Sequence, residues 1–278
     1  MPSIPSPYSA LLRRGDPGAI AGEEPWLFRS EGWDWRWSSW GELARQAAAW
    51  AGALAELPPA SRAAFLYIPR PEAVALDLAI QGAGLVSVPV SGDREAVAEW
   101  GCRWIEPSQW EEEQGRKGRA RTDKVDQGGA VVVVGGAPVE VGAAELVEVA
   151  ARVQAEITPA RRTGKREIVV LGGPLEQPEE RAMLTWATVA GAAVALEPAP
   201  GARVATAAWV RPTVFHGTVE EIALLRAWVE KAKKKRGLPF GRLRTVLAAS
   251  PGLPEEDAAF WRERGVKVGR IPDCRRAA

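Results

Sequence analysis

The sequence predicts an α/β fold with mostly parallel sheets, built as two packed lobes, and three observations predict it. Short continuous apolar runs, among them Ala63–Ile68, Val86–Val90, Ala130–Val134 and Ala192–Leu196, have the length and composition of strands buried on both faces. Helical segments separate these runs, and a strand–helix–strand alternation implies parallel pairing. A charged, glycine-punctuated stretch from Glu111 to Gln127 reads as a surface linker. The expected organisation is therefore a first lobe over 1–110, a linker over 111–129 and a second lobe over 130–278, with a tryptophan-rich hairpin opening the first.

The elements follow in order. Trp26–Trp37 alternates large apolar with polar residues on either side of Ser30-Glu31-Gly32, which predicts a β-hairpin with Trp33, Trp35 and Trp37 on one face. Ser39 followed by Glu42 is a capping-box pattern, opening a helix that runs to about Leu57. Leu43, Ala47, Trp50, Leu54 and Leu57 form its buried stripe, and Pro58-Pro59 stops it. After the Ala63–Ile68 strand, Pro71 sits where a first helical turn favours proline, and a helix is predicted to Gly82. Pro89 marks Val86–Val90 as an edge strand or a strand end. In the second lobe, strands are predicted at 130–134, 167–171, 192–196, 213–215, 243–248 and 266–268. Helices are predicted at about 142–157, 178–190, 202–209, 219–235 and 254–264 between them.

Composition narrows the function classes. The chain has 278 residues, 46% of them apolar and 26% charged, which suits a folded soluble core and argues against disorder. Thirty-six Lys plus Arg against 35 Asp plus Glu leave a net charge of +1, so no global field attracts nucleic acid or an anionic membrane. Two cysteines, Cys102 and Cys274, and one histidine, His216, cannot build a thiolate zinc site or a multi-histidine metal centre. No uninterrupted apolar run approaches the roughly 18 residues that suggest a membrane span. The start, Met1-Pro-Ser-Ile-Pro, lacks the layout of a secretory signal. No nucleic-acid partner, no membrane span and a cytoplasmic location are expected.

Five stretches, in order, resemble the large N-terminal domain of adenylate-forming enzymes, the AMP-dependent synthetases and ligases, and acyl-CoA synthetases in particular. They are Trp37–Leu54, Ala63–Val90, Trp186–Leu196, Arg211–Thr218 and Gly241–Val268, and together they span roughly Ile20 to Val268. The resemblance implies two stacked α/β lobes, as in that domain.

The same resemblance implies chemistry that the matching positions do not carry. In these enzymes a Ser/Thr/Gly-rich loop ending in Pro-Lys-Gly holds the ATP phosphates. Here that place reads Val134-Gly-Gly-Ala-Pro-Val-Glu140, leaving Gly135 and Gly136 as the vestige of a phosphate loop, with Glu140 adding negative charge beside it. A simple turn after a strand is the plainer reading of the two glycines. The family's Pro-Leu-Phe-His aligns with Pro174-Leu-Glu-Gln177, without the histidine. Its Tyr-Gly-x-Thr-Glu should follow Val268, where the chain reads Gly269-Arg-Ile-Pro-Asp-Cys274. The family's C-terminal domain, with its catalytic lysine, has no counterpart in the sequence. The resemblance therefore implies no catalytic residue, no metal ligand and no cofactor.

Single features add little chemistry. No Ser–His–Asp or Cys–His pattern frames His216, so a structural role is expected. Thirteen Trp stand against five Phe and two Tyr. The Trp26–Trp40 cluster could be a stacking platform, but a hairpin packing its aromatic face on the 43–57 helix explains it with less. Lys231–Arg236 complements the end of a helix dipole. The expected function is that of a non-catalytic synthetase-like protein that binds a protein partner, an active synthetase or a carrier protein, or a retained acyl or nucleotide ligand. The alternative is an active or split ligase with a rebuilt nucleotide site completed by another chain, and ATP, Mg²⁺ and CoA enter only there. An unrelated α/β domain with one doubly wound sheet would satisfy the periodicity as well.

Overall fold

The computed structural model describes residues 5–16, 19–31, 34–92, 94–106, 128–134, 137–157, 166–197, 199, 201–233, 242–249 and 252–272. Eight helices and twelve strands occur among them, in the order α1 (Pro7–Gly15), β1 (Pro25–Glu31), β2 (Asp34–Ser39), α2 (Trp40–Leu54), β3 (Arg62–Leu66), α3 (Pro71–Gly82), β4 (Val86–Val90) and β5 (Arg103–Trp104). Then come β6 (Gly129–Val134), β7 (Ala137–Gly142), α4 (Ala143–Glu156), β8 (Ile168–Leu171), α5 (Pro178–Ala190), β9 (Ala193–Leu196) and α6 (Arg203–Val210). The last elements are β10 (Val214–Gly217), α7 (Val219–Lys233), β11 (Thr245–Ala248), α8 (Glu255–Arg262) and β12 (Lys267–Arg270). No helix among the described residues is long and apolar enough to cross a membrane.

Two sheets form, as the alternation requires. The larger has the order β12-β11-β10-β8-β9-β1-β2 and the smaller β5-β3-β4-β6-β7. Both are parallel except at one edge, where the β1–β2 and β6–β7 hairpins pair antiparallel. The main core lies between the sheets: Leu27, Val169 and Val194 from one and Ala63, Phe65 and Val132 from the other enclose side chains of α2, α3, α4 and α5. Outside the larger sheet, α6, α7 and α8 bury Ile222, Leu225 and Trp261 against Phe215 and Val246. The fold is thus layered, with helices between two sheets and more helices beyond the larger one.

Local chemistry sets the helix ends. Ser39 accepts from the Glu42 backbone N–H at 3.1 Å while the Glu42 carboxylate accepts from the Ser39 N–H at 2.7 Å, the reciprocal cap expected of that spacing. Proline opens α1, α3 and α5, and Gly191 ends α5 in the left-handed conformation, at φ 76°.

Four expectations need correcting. The tryptophan hairpin does not belong with the first half of the chain: β1 pairs with β9, Leu27 opposite Val194, so it forms the edge of the larger sheet. Conversely β6 and β7 join β4 in the smaller sheet. Sheet membership therefore crosses the 111–129 segment rather than following it; residues 107–127 themselves lie outside the described residues.

The second correction concerns Pro89, of whose two readings the edge strand falls and the strand end stands. β4 is interior, between β3 and β6, but β6 pairs only with Val86 and Ser87. Pro89 lies beyond that short ladder, where a missing N–H forfeits no hydrogen bond to β6.

The third correction concerns the aromatic face. Trp35 packs with Phe28 against the outer cluster of the larger sheet, and Trp37 is 52% exposed beside the first turn of α2, so the two do not form one aromatic face buried on the 43–57 stripe. Trp33 lies outside the described residues. The buried pair is instead Trp26 and Trp40, stacked with centroids 3.9 Å apart and planes 9° from parallel. The guanidinium carbons of Arg14 and Arg166 lie 5.4 and 5.8 Å from the Trp40 ring. Last, β7 occupies a stretch where no strand is expected, which moves Glu140. It faces Val131 in register and pairs with Arg62 at the start of β3, at 2.6 Å, well away from the β6–β7 turn.

Candidate functional site

In open parallel sheets, ligands bind beyond the carboxyl ends of the strands, where loops and helix N-termini converge. Here those ends belong to both sheets: β3, β4 and β6 in one, β8 and β10 in the other. The segment Gly172–Gln177, leaving β8, joins them. Its Glu176 carbonyl accepts from Val133 N–H at 2.6 Å, and its carboxylate accepts from the backbone N–H and the hydroxyl of Ser91, just past β4.

Two buried ionic clusters lie behind this junction. In the first, Glu180 in the first turn of α5 meets Arg203 of α6 and His216 of β10. Arg203 donates to Glu180 Oε1 at 2.5 Å, and His216 Nε2 lies 3.1 Å from the same oxygen. Arg203 also reaches the His216 carbonyl at 3.3 Å and Glu221 at 3.5 Å. Burial opposes the charge on Glu180, but the imidazole, the guanidinium and the Gly173 backbone N–H outweigh it and hold its carboxyl at about 2. Gly173 is required by this approach, because a Cβ there would stand 2.6 Å from Glu180 Cγ. Glu180 Oε2, Arg203 Nε and His216 Nδ1 are buried without a hydrogen-bond partner among the described residues.

In the second cluster, Asp77 of α3 and Arg181 of α5 form a two-pronged ion pair at 2.5 and 2.9 Å, with both side chains fully buried. Gln81 and Ser87 donate to the same carboxylate at 2.9 and 2.6 Å, so both Asp77 oxygens are satisfied. Tyr67, just past β3, is buried beside both clusters; burial pushes its phenol up, and the charges of Glu180 and Asp77 push the same way.

This arrangement predicts an acid-sensitive fold. A carboxyl held at about 2 when folded and near 4.5 when free supplies stability that is complete above pH 4.5 and is lost as pH falls toward 2. Urea unfolding across that window should show a shallower decline for Glu180→Gln than for the parent chain. Equal slopes would remove Glu180 from the acid response.

The residues singled out by sequence fall in different places. Gly135 and Gly136 lie outside the described residues, as does Cys274, but Val134 and Ala137 on either side are register partners. His216 is 1% exposed and held in the first ionic cluster. Cys102 is half-buried, and burial raises its thiol. Of Lys231–Arg236, residues 234–236 lie outside the described residues. Among the described residues, no three His, Cys, Asp or Glu side chains are placed to hold a metal. The two ionic clusters were not foreseen. The available signal was a charge inside an apolar helical run, Asp77 within Val74–Ile80.

No family model matches the sequence, and neither does any curated protein. Solved structures do match. The crystal structure of VinN superposes with a TM-score of 0.72 at 14% identity, over 95% of this chain and 73% of VinN. The N-terminal domain of FACL13 from Mycobacterium tuberculosis gives 0.73 at 13% identity, over 96% of this chain and 76% of that domain's. The fold is that of an acyl-CoA synthetase N-terminal domain. o-Succinylbenzoate CoA synthetase (MenE) from Bacillus subtilis gives 0.69 at 13% identity, over 95% of this chain but 57% of MenE. The synthetase-like fold accounts for both sheets, and with it the doubly wound single-sheet reading is set aside.

Proposed function

We propose that this chain is a synthetase-fold protein that does not adenylate and acts by binding a protein partner, an active synthetase or a carrier protein. The observation that carries the reading is the β6–β7 connection. Val134 and Ala137 are paired, which leaves two residues, both glycine, where the resemblance would require a hydroxyl-rich loop and a lysine. Stabilising the transfer of an adenylyl group, with pyrophosphate leaving, takes preorganised donors and cations at that place. The nearby polar groups are engaged elsewhere: Glu176 with Ser91, and His216 with Glu180. His216 is also 1% exposed, which keeps its imidazole away from a substrate proton.

A surface suited to a protein partner supports the binding half of the reading. α6 packs against α7, and their outer sides carry Trp209 at 78% exposure, Leu224 at 54% and Trp228 at 42%. Large exposed apolar groups, tryptophan above all, are characteristic of interface anchors.

The test is ATP–pyrophosphate exchange with Mg²⁺ and a panel of aliphatic and aromatic acids. No exchange above a heat-killed control is expected. Steady exchange by the purified chain overturns the reading and returns the ligase alternative. Exchange that appears only after a second chain is added points to the split form.

A further inference from the structure

We infer that the hollow between the end of β2, the first turn of α2 and the segment preceding β1 binds a saccharide, with one sugar ring stacked on Trp37. The hollow holds about 470 Å³, room for a small ligand. Trp37 lines it and is 52% exposed, which leaves about one face of the indole open. β2 is the edge strand of the larger sheet, so Trp37 has a cross-strand neighbour on one side only, Phe28 of β1. Part of the opposite wall is main chain. A Cβ on Gly41 would stand 2.9 Å from the Gly22 carbonyl oxygen, so the start of α2 and the segment before β1 touch backbone to backbone. A wall packed that closely is formed before a ligand arrives, and binding against it costs little ordering entropy.

The polar groups around the ring select the ligand class. Ser39 and Glu42 are occupied with the reciprocal cap of α2, and the Glu42 charge sits at the positive end of that helix. Glu23 and Arg45 also line the hollow, are exposed, and form no hydrogen bond or ion pair among the described residues. One free carboxylate and one free guanidinium leave no sign with which to select an ion, but together they offer both acceptors and donors. The hollow is thus apolar on one side, where Trp37 stands, and polar around the remainder. A pyranose matches that division. Its C–H face lies on an aromatic ring, and its hydroxyls, each donor and acceptor, meet the carboxylate and the guanidinium. A nucleobase is flat on both faces and would leave one of them without a wall. None of these residues belongs to either ionic cluster or to the α6–α7 surface, so the site stands or falls apart from the protein-binding reading.

The probe is cellobiose, titrated into the intact chain and followed by saturation-transfer NMR, with mannitol as an acyclic polyol and adenosine as a flat ring for comparison. Saturable binding of cellobiose is expected, with mannitol weaker because it presents no rigid C–H face. Trp37→Ala should weaken cellobiose about tenfold, the loss of one stacking contact, and Trp37→Phe should weaken it less. Arg45→Met and Glu23→Ala should each weaken it about fivefold, the loss of one exposed hydrogen-bonding group. All of these variants replace exposed side chains, so the thermal midpoint should hold, and a lost fold does not mimic a lost site. The inference is overturned by no saturable binding of cellobiose, by mannitol or adenosine binding as tightly, or by an unchanged affinity in Trp37→Ala.

Discussion

Asp77→Ala is expected to destabilise the folded chain by about 3–5 kcal/mol, the usual cost of removing one partner from a buried ion pair. The geometry explains why the cost should be at the upper end for a single substitution. Asp77 and Arg181 are 0% and 1% exposed, and the Asp77 carboxylate also accepts from Gln81 and Ser87. Removing it strands a guanidinium, an amide and a hydroxyl together in the region between the two sheets. The guanidinium is buried, and its Nε is already without a partner among the described residues. The double variant Asp77→Leu/Arg181→Met removes the charges as a pair and should recover most of the loss, because the desolvation penalty disappears with the attraction. Urea unfolding of the parent, Asp77→Leu, Arg181→Met and the double variant forms the cycle, with Asp77→Ala measured beside it. A double variant no more stable than Asp77→Ala would mean that the pair contributes net stability that hydrophobic packing cannot replace.

The same pair bears on how the fold assembles. Asp77 lies on α3 and Arg181 on α5, helices that line the core between the two sheets. Nonpolar contacts would allow α3 and α5 to slide, whereas a two-pronged pair with two further donors admits one register. Glu180, one residue before Arg181, ties the same helix to α6 and β10 through Arg203 and His216. Consecutive residues of α5 thus fasten the helix toward opposite neighbours, and the strand-end junction between the sheets is built on it.

Much of this was legible in the sequence where local signals are self-sufficient. α3 and α5 begin where Pro71 and Pro178 place them, and α5 ends at Gly191, because proline at a first turn and glycine after a last turn act through the backbone alone. The Ser39–Glu42 cap is legible for the same reason. β7 was not: Ala137–Gly142 contains Pro138 and is largely solvent-facing, so it lacks the apolar run that marks a buried strand. The hairpin itself was legible, but its destination was not. Alternation fixes that β1 and β2 pair, and nothing local states that β1 will then pair with β9, far along the chain. The candidate site follows the same division. His216 could be singled out as the lone histidine, yet its engagement with Glu180 and Arg203 depends on three elements meeting in space.

The tryptophan stack gives the other large expected effect: Trp40→Ala should cost about 3–5 kcal/mol, the range for truncating a buried tryptophan. Trp26 and Trp40 are both 0% exposed and in face-to-face contact, so removing one ring empties a large volume that the layered core cannot close by collapse. Trp40 has more to lose than its area suggests. Arg14 and Arg166 lie near its ring, and each is also tied to backbone: Arg14 to the Val189 carbonyl at 2.9 Å, Arg166 to the Pro25 carbonyl at 2.8 Å. Without the ring, both guanidiniums lose a polarisable neighbour in a region where burial already pulls their pKa values down. Trp40→Phe keeps an aromatic face and should cost less than the alanine variant. Trp37→Ala, at an exposed ring of the same sequence cluster, should change stability by less than about 0.5 kcal/mol. Measured side by side by chemical unfolding, the three variants separate a structural stack from a surface aromatic. If Trp37→Ala proved as costly as Trp40→Ala, the reading of Trp37 as a surface aromatic would fall.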